Sequence, residues 1–425
     1  MERPASTGFA LEDWLRWQES LNPRLVDLGL ERPAQVAARM GIGALPMPVV
    51  TVAGTNGKGS CVAYLVAMLE KAGYPVAAYT SPFLQRYNES LTIGAREVSD
   101  ETLIDAFERV EQARGDVALT FFEFRTLAVL DIIRRAPVAL AVLEVGLGGR
   151  LDAVNLVDAD VAVVTTVDLD HTDWLGPDRE SIGGEKAGIF RARRPAVCGD
   201  ACPPQSLVER ARRLAAPLHT LGAEFSVVGD DDGWSWRGPG RRIDGLPEPR
   251  LGGTSQRANA AAAVMAMQLL GSRVAVGDAA VRDGIASAWL PGRQQILAGD
   301  VERIVDVAHN PEAARALAAT LAARPRAPRT HALLAMLRDK DVEGVAAALG
   351  DAVDVWYTAA LPGPRGQDGE RVAAGLRRLF PARPVSVHAD VAAAWKAARG
   401  AARSGERMVA LGSFLTAREV LNLES

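Results

Sequence analysis

Hydrophobic positions along this chain follow two alternating rhythms, and the alternation sets the expected fold. Short β-branched runs at residues 49–53, 76–80, 138–144 and 160–167 have the composition of strands buried on both faces. Between them, apolar residues recur at helical spacing. Residues 11–28 carry Trp14, Leu15, Trp17 and Leu21, interrupted by Pro23. Residues 32–40, 61–69, 100–113 and 121–135 continue the pattern, the last with Thr120 as its N-cap. From 218 to 250 the pattern loosens into short strands with Gly and Pro turns, and an Ala-rich helix follows at 255–270. Pro291-Gly292-Arg293 marks a boundary. Beyond it strands at 301–307, 332–337, 353–358, 385–388 and 408–411 alternate with helices, which means a second parallel sheet with covering helices. The expected class is α/β, with one domain over 1–292 and a smaller, Rossmann-like one over 293–425.

Composition narrows the function. A chain of 425 residues, 48% of them hydrophobic, supports more than one core. A net charge of −4 argues against a nucleic-acid partner bound through bulk charge. No apolar run is long enough to span a bilayer, so no membrane partner is expected, and residues 1–8 lack the features of a secretory signal. Three cysteines suit a reducing compartment, Cys198 and Cys202 reading as structural, and the expected location is cytoplasmic. Lysine occurs five times against 43 arginines. Where arginine is so prevalent, a retained lysine is a candidate for chemistry that a guanidinium cannot do, and Lys58 and Lys186 both lie in motif-like stretches.

The strand at 49–53 runs into Gly54-Thr55-Asn56-Gly57-Lys58-Gly59-Ser60 and then a helix. Strand, glycine loop and helix N-terminus in that order cradle an anion, with Lys58 adding a full positive charge. The alternative is a tight turn with an exposed lysine. The loop departs from the common phosphate-loop pattern in its extra Gly59 and in Val52 at the leading-glycine position. Ser81, at a strand carboxyl end, either coordinates a metal or binds substrate or is a plain Ser-Pro turn; Glu144 sits where a Mg²⁺-binding carboxylate belongs, and Asp168, Asp170, His171 and Asp173 crowd a third strand end, which points to metal or phosphate chemistry over a solvated loop. Phe121, Phe122 and Phe124 are either core or a stacking surface for a flat heterocycle. The glycines of 146–149 resemble a dinucleotide fingerprint, but Asp152 and Asn155 follow instead of an apolar helix, which discounts hydride chemistry. Lys186 stands among small and apolar neighbours in a helix beginning near Ser181. An enzyme that activates a substrate with ATP is the economical sum of these features.

Several stretches carry a specific resemblance. Ala53–Ser60, with its extra glycine, and Ala308-His309-Asn310-Pro311 resemble the Mur ligase superfamily. Residues 27–32, Thr80-Ser81-Pro82, Arg86-Tyr87-Asn88-Glu89, Thr120-Phe121-Phe122-Glu123, 144–152, Asp170-His171 and Glu185-Lys186-Ala187-Gly188-Ile189 resemble the folylpolyglutamate synthase/dihydrofolate synthase family, in order and over essentially the whole chain. The resemblance implies a phosphate-loop-type ATPase domain that also binds a pterin, followed by a Rossmann-like ligase domain. It implies that Thr55, Asn56, Gly57, Lys58, Gly59 and Ser60 hold ATP phosphates, and that Asn259, Arg293 and Asp306 contact ATP. Ser81, Glu144 and His171 would ligate Mg²⁺, with two metal sites. Lys186 would be carbamylated by CO₂, an adduct arginine cannot form, and His309 would lie near the reacting groups. Thr120, Phe121, Phe122, Glu123, Leu151, Asp152 and Ala153 would bind the pterin.

The implied substrates are dihydropteroate, tetrahydrofolate or its polyglutamates, and L-glutamate. The implied chemistry is phosphoryl transfer to a carboxylate, attack of the glutamate amine on the acyl phosphate, and closure of the domains to exclude water. A monomer is the default. Two alternatives stand beside this: a ligase acting on a UDP-linked cell-wall precursor, and a nucleotide-dependent switch without ligase activity. Whether both folate activities are present is open at this level.

Overall fold

The computed structural model describes residues 9–24, 26–230, 233–253 and 255–425. Residues 1–8, expected to hold no secretory signal, lie outside the described residues. The chain divides into two compact units, Met1–Glu248 with Arg257–Ala288, and Pro249–Gln256 with Trp289–Ser425. Among the described residues no helix is long and apolar enough to cross a membrane.

The first unit is built on β1 (Val49–Ala53), β2 (Val76–Tyr79), β3 (Leu91–Ile93), β4 (Arg96–Glu97), β5 (Leu140–Glu144), β6 (Val161–Val164), β7 (Ala196–Cys198) and β8 (Leu218–Thr220). They form one sheet in the order β4-β3-β2-β5-β1-β6-β7-β8. From β2 to β8 every pairing is parallel; β3 and β4 add an antiparallel edge. Every residue of β1 and β5 is buried, which explains continuous apolar runs without alternation. One face packs on the helices at Leu11–Ser20, Glu31–Arg39, Asp100–Arg114 and Phe121–Arg135, through Trp14, Val36, Phe107, Phe124 and Leu127. The helix Lys58–Lys71 lies against β1, β2 and β5. Near β6 and β7 a further core gathers Ile182, Ile189, Phe190 and Leu207. The loosened segment forms a separate antiparallel sheet of β9 (Ser226–Asp230), β10 (Gly233–Gly238) and β11 (Arg241–Leu246), ordered β11-β10-β9.

The second unit carries β12 (Gln295–Leu297), β13 (Glu302–Val305), β14 (Thr330–Leu334), β15 (Val355–Ala359), β16 (Val385–His388) and β17 (Arg407–Leu411), ordered β12-β13-β17-β14-β15-β16. All pairings are parallel except β12 with β13. Its core joins Ile304, Leu317, Leu334, Trp356 and Val409. The α/β class expected from the sequence is the class observed.

Three boundaries differ from the hydrophobic pattern, each for a local reason. β6 stops at Val164 because the threonines after it turn their polar groups toward the glycine loop. The helix after that loop starts at Lys58, three residues early, since Gly57 takes a left-handed φ of 83° and serves as N-cap. Lys186 ends the helix Arg179–Lys186, a tighter turn over Ala187–Ile189 following it, where the sequence placed a helix beginning.

Candidate active site

Four neighbouring strands, β2, β5, β1 and β6, deliver their carboxyl ends to the same edge of the first sheet. In parallel α/β sheets this edge is where ligands bind. β1 brings the glycine loop, β2 brings Ser81, β5 brings Glu144, and β6 brings Thr165 to His171.

The loop is held from outside itself. Thr55 N–H donates to the Thr166 carbonyl at 2.8 Å, and Asn56 N–H to Thr166 Oγ1 at 3.1 Å. Thr165 Oγ1 donates to the Asn56 carbonyl at 2.5 Å, and Thr55 Oγ1 to the Asp168 carbonyl at 3.0 Å. Gly54 has φ 153°, and a Cβ there would lie 1.8 Å from Thr165 Oγ1. A Cβ on Gly57 would lie 2.4 Å from Asn259 Oδ1, which places the buried Asn259 directly against the loop. Lys58 folds its Nζ onto the carbonyls of Gly54 (3.0 Å) and Thr55 (3.2 Å). Gly59 and Ser60 are buried in the first helical turn, which holds no acidic residue. Beneath them burial and the nearby Glu144 push the Cys61 thiol up to about 12, so it is an inert core group.

Ser81 and Glu144 meet, the Ser81 N–H donating to Glu144 Oε2 at 3.1 Å. A serine hydroxyl beside a buried carboxylate is an oxygen donor set suited to a hard divalent cation. His171 stands in left-handed conformation (φ 52°), unusual for a non-glycine residue, with Nε2 3.9 Å from Asp170 Oδ2. Among the described residues no three His, Cys, Asp or Glu side chains cluster as a closed metal cage.

Beside these groups is an aromatic cluster. Thr120 and Glu123 are buried in a reciprocal cap: Glu123 N–H donates to Thr120 Oγ1 (3.2 Å), and Thr120 N–H to Glu123 Oε2 (2.7 Å). Arg32 donates to the remaining Glu123 oxygen at 2.9 Å. Their polar atoms therefore hold the helix start, while Phe121 and Phe122 stay part-exposed; Phe124 is core. Phe122 stacks with Tyr79 at 6.3 Å and crowds Gly146, where a Cβ would sit 2.6 Å from the ring.

Asp152 accepts from the N–H groups of Leu147 (2.8 Å) and Val154 (2.9 Å), and caps the short turn Ala153–Leu156. Burial raises its carboxyl to about 6, opposed by those amides, that of Gly146 and Arg125. Leu151 is part-exposed and Ala153 buried. The same loop locks onto the lysine segment: Arg150 N–H donates to the Glu185 carbonyl (2.9 Å), and a Cβ on Gly149 would lie 3.0 Å from the carbonyls of Glu185 and Lys186. Lys186 is 3% exposed.

In the second unit Asp306 is buried and orders its own group of candidates. Its oxygens accept from Gln294 N–H (2.9 Å) and Ala308 N–H (2.6 Å). Burial raises its pKa, with Arg293 the leading opposing charge. The Arg293 guanidinium lies 5.4 Å from the Phe414 ring, and the His309 ring 6.4 Å from it. His309 Nδ1 is 2.8 Å from the Val307 carbonyl.

Sequence reasoning missed Thr165, Thr166 and Arg125. The first two were absorbed into a strand, although consecutive threonines ahead of an acid-rich turn are a usable signal. Arg125 in a helix reads as surface, yet it is 4% exposed.

With this geometry in view, the likenesses to known proteins become specific. The family described as Mur ligase, glutamate ligase domain matches residues 292–414. The dihydrofolate synthase/folylpolyglutamate synthase of Escherichia coli (strain K12) is 43% identical over 424 residues, covering 100% of this chain and 97% of its own. The solved structure of E. coli FolC in complex with DHPP and ADP superposes with a TM-score of 0.94 at 43% identity, covering 99% of both chains. A crystal structure of a bifunctional folylpolyglutamate synthase/dihydrofolate synthase with Mn, AMPPNP and L-glutamate bound gives 0.92 at 41%, covering 100% of both. The chain belongs to the dihydrofolate synthase/folylpolyglutamate synthase family.

Proposed function

We propose that this protein is an ATP-dependent ligase that adds L-glutamate to dihydropteroate and, by the same chemistry, to tetrahydrofolate and its polyglutamates. The observation that carries this reading is the meeting of a glycine loop, an oxygen donor pair and an aromatic pocket at adjacent strand ends. Relatives at 41–43% identity supply the substrate class, since their structures hold nucleotide, divalent metal, L-glutamate and DHPP.

A carboxylate is a poor acceptor for an amine, so its oxygen first takes the γ-phosphoryl group of ATP, releasing ADP. Thr55 and Asn56, their amides engaged with Thr166, shape a loop in which the amides of Gly57 to Ser60 would bind the phosphates, and Lys58 would exchange its contacts with two carbonyls for phosphate oxygens. Its charge then stabilises the transferring group. Asn259, against Gly57, would be a further nucleotide contact, as would Arg293 and Asp306. Ser81, Glu144 and His171 would hold Mg²⁺, which neutralises phosphate charge when bound. Lys186 would carry a carbamate, a carboxylate-like group for a second Mg²⁺ site. The glutamate amine then attacks the acyl phosphate, phosphate leaves, and an amide remains. His309 would manage a proton of that step. The pterin is held through the rings of Phe121 and Phe122, the Leu151–Ala153 backbone and the Asp152 carboxylate.

Phosphate release from MgATP and L-glutamate, run in parallel with dihydropteroate and tetrahydrofolate and with products weighed by mass spectrometry, tests the proposal. Products one glutamyl residue heavier with both substrates are expected. Silence with both, while a UDP-linked precursor is consumed, would overturn it.

A further inference from the structure

Arg125 is buried to 4% exposure inside a ring of aromatic side chains. Its guanidinium carbon lies 5.1 Å from the centre of Phe122, 5.5 Å from Tyr79, and 6.0 Å from both Tyr87 and Phe121. Nε donates to the Tyr79 hydroxyl at 3.0 Å, and that hydroxyl shares a hydrogen bond with Thr126 Oγ1 at 3.1 Å. Among the described residues its two terminal nitrogens have no hydrogen-bond partner, and no carboxylate lies in ion-pair range of it. Nor are those nitrogens sealed away, as Arg32 Nε and Arg134 Nε are.

A buried cation without a counter-ion is costly, and each ring contact returns only about 0.5–2 kcal/mol. Such a group makes physical sense when a ligand completes it. The surroundings define that ligand. Phe121 and Phe122, the part-exposed rings of the four, suit a flat ligand. Asp152 is close enough for its charge to be felt at Arg125, yet it is not paired with it. A second carboxylate or a phosphate in the pocket would be repelled by Asp152, so the missing acceptor is a neutral oxygen. Phe122, Gly146 and Asp152 are contiguous, because a Cβ on Gly146 would touch both the ring (2.6 Å) and Asp152 Oδ2 (3.3 Å). A donor fork and a carboxylate at neighbouring points of one flat slot match a ring edge in which a carbonyl adjoins an N–H.

We propose that Arg125 is a specificity-determining residue whose terminal N–H groups donate to the single ring carbonyl oxygen of the pterin, while Asp152 accepts from the adjacent ring N–H. This rests on the pterin reading of the pocket given above. The planar fork is essential to it, since a lysine would bring the charge without two parallel donors.

The test is binding to the full-length, ADP-saturated protein by titration calorimetry. The probes are dihydropteroate and its analogue with hydrogen in place of the ring carbonyl oxygen. Wild type is expected to favour dihydropteroate by about 10- to 100-fold. R125Q shrinks that preference to the part owed to Asp152, whose N–H partner the analogue also lacks, by weakening dihydropteroate alone, with KM for it raised and kcat largely kept. R125K, which keeps the charge and the ring contacts, shows the same selective loss and serves if R125Q melts early. Equal weakening of both probes would mean that Arg125 only supports Phe122, and would overturn the inference. So would a wild type that binds both alike. A wild type that binds ADP but neither pteridine would instead overturn the pterin reading itself.

Discussion

Gly54→Ala is the sharpest way to ask whether the glycine loop works through its outside clamp. Its φ of 153° belongs to a region that side chains rarely adopt, a strain of about 1–3 kcal/mol. The added Cβ would also stand 1.8 Å from Thr165 Oγ1 and 3.1 Å from Thr165 Cβ. The hydroxyl must swing away, and its bond to the Asn56 carbonyl is lost, a further cost of about 1 kcal/mol. The expected total is about 2–4 kcal/mol, with a matching loss of nucleotide affinity. Thr165→Ala alone gives up the hydroxyl bond only, about 1 kcal/mol. In the double variant the oxygen that collides is gone, so it is less destabilised than the sum of the singles by about 1–2 kcal/mol. Denaturant unfolding with and without ADP measures all four corners of the cycle. Strict additivity, within about 0.5 kcal/mol, would refute the collision and with it the claim that Thr165 shapes the loop.

The other predictions address the chemistry. Lys186→Ala abolishes ligation while leaving ADP binding near wild type, and a small carboxylate such as acetate partly restores turnover; a carbamate signal from isotope-labelled bicarbonate is seen in wild type and lost in the variant. Glu144→Gln raises the half-saturating concentration of Mg²⁺ or Mn²⁺ by about tenfold or more, the scale set by loss of even an outer ligand partner, as read from metal titrations of ATP turnover. The Asp152 carboxyl, raised by burial from an ordinary 3.8 to about 6, gives a pH dependence of definite sign. The folded protein holds this proton where the unfolded chain has released it. The stability so gained is therefore complete below about 4 and lost as pH rises through about 6. Substrate grip runs the other way, because the carboxylate is the acceptor: KM for dihydropteroate should fall as pH rises from about 5 to about 7, and Asp152→Asn should flatten that profile.

What the sequence made legible was local chemistry. Gly54 to Ser60, Ser81 and Glu144 sit at the ends of apolar runs, and the rule that parallel strands present ligands at their carboxyl ends places them without any tertiary knowledge. The scarcity of lysine singled out Lys186, which is buried. What stayed hidden depends on contacts across long chain separations. The clamp from Thr165 and Thr166 reaches back about 110 residues, and two threonines on a valine run look like more strand. Arg125 looks like helix surface until Tyr79, from strand β2, closes the ring around it. The edge strands β4 and β12 span only Arg96–Glu97 and Gln295–Leu297, too short for a hydrophobic rhythm to announce them.

The clamp on the glycine loop has a consequence for the order in which the protein acquires its function during synthesis. Hydrogen bonds that shape residues 54–56 come from residues 165–168, which leave the ribosome more than a hundred residues later. A nascent chain that ends before β6 has the glycine loop but lacks this clamp on it. Nucleotide binding thus reports that β6 has docked beside β1. From that point ligand and fold reinforce each other by mass action, so the cell's own ATP favours chains whose first sheet is assembled.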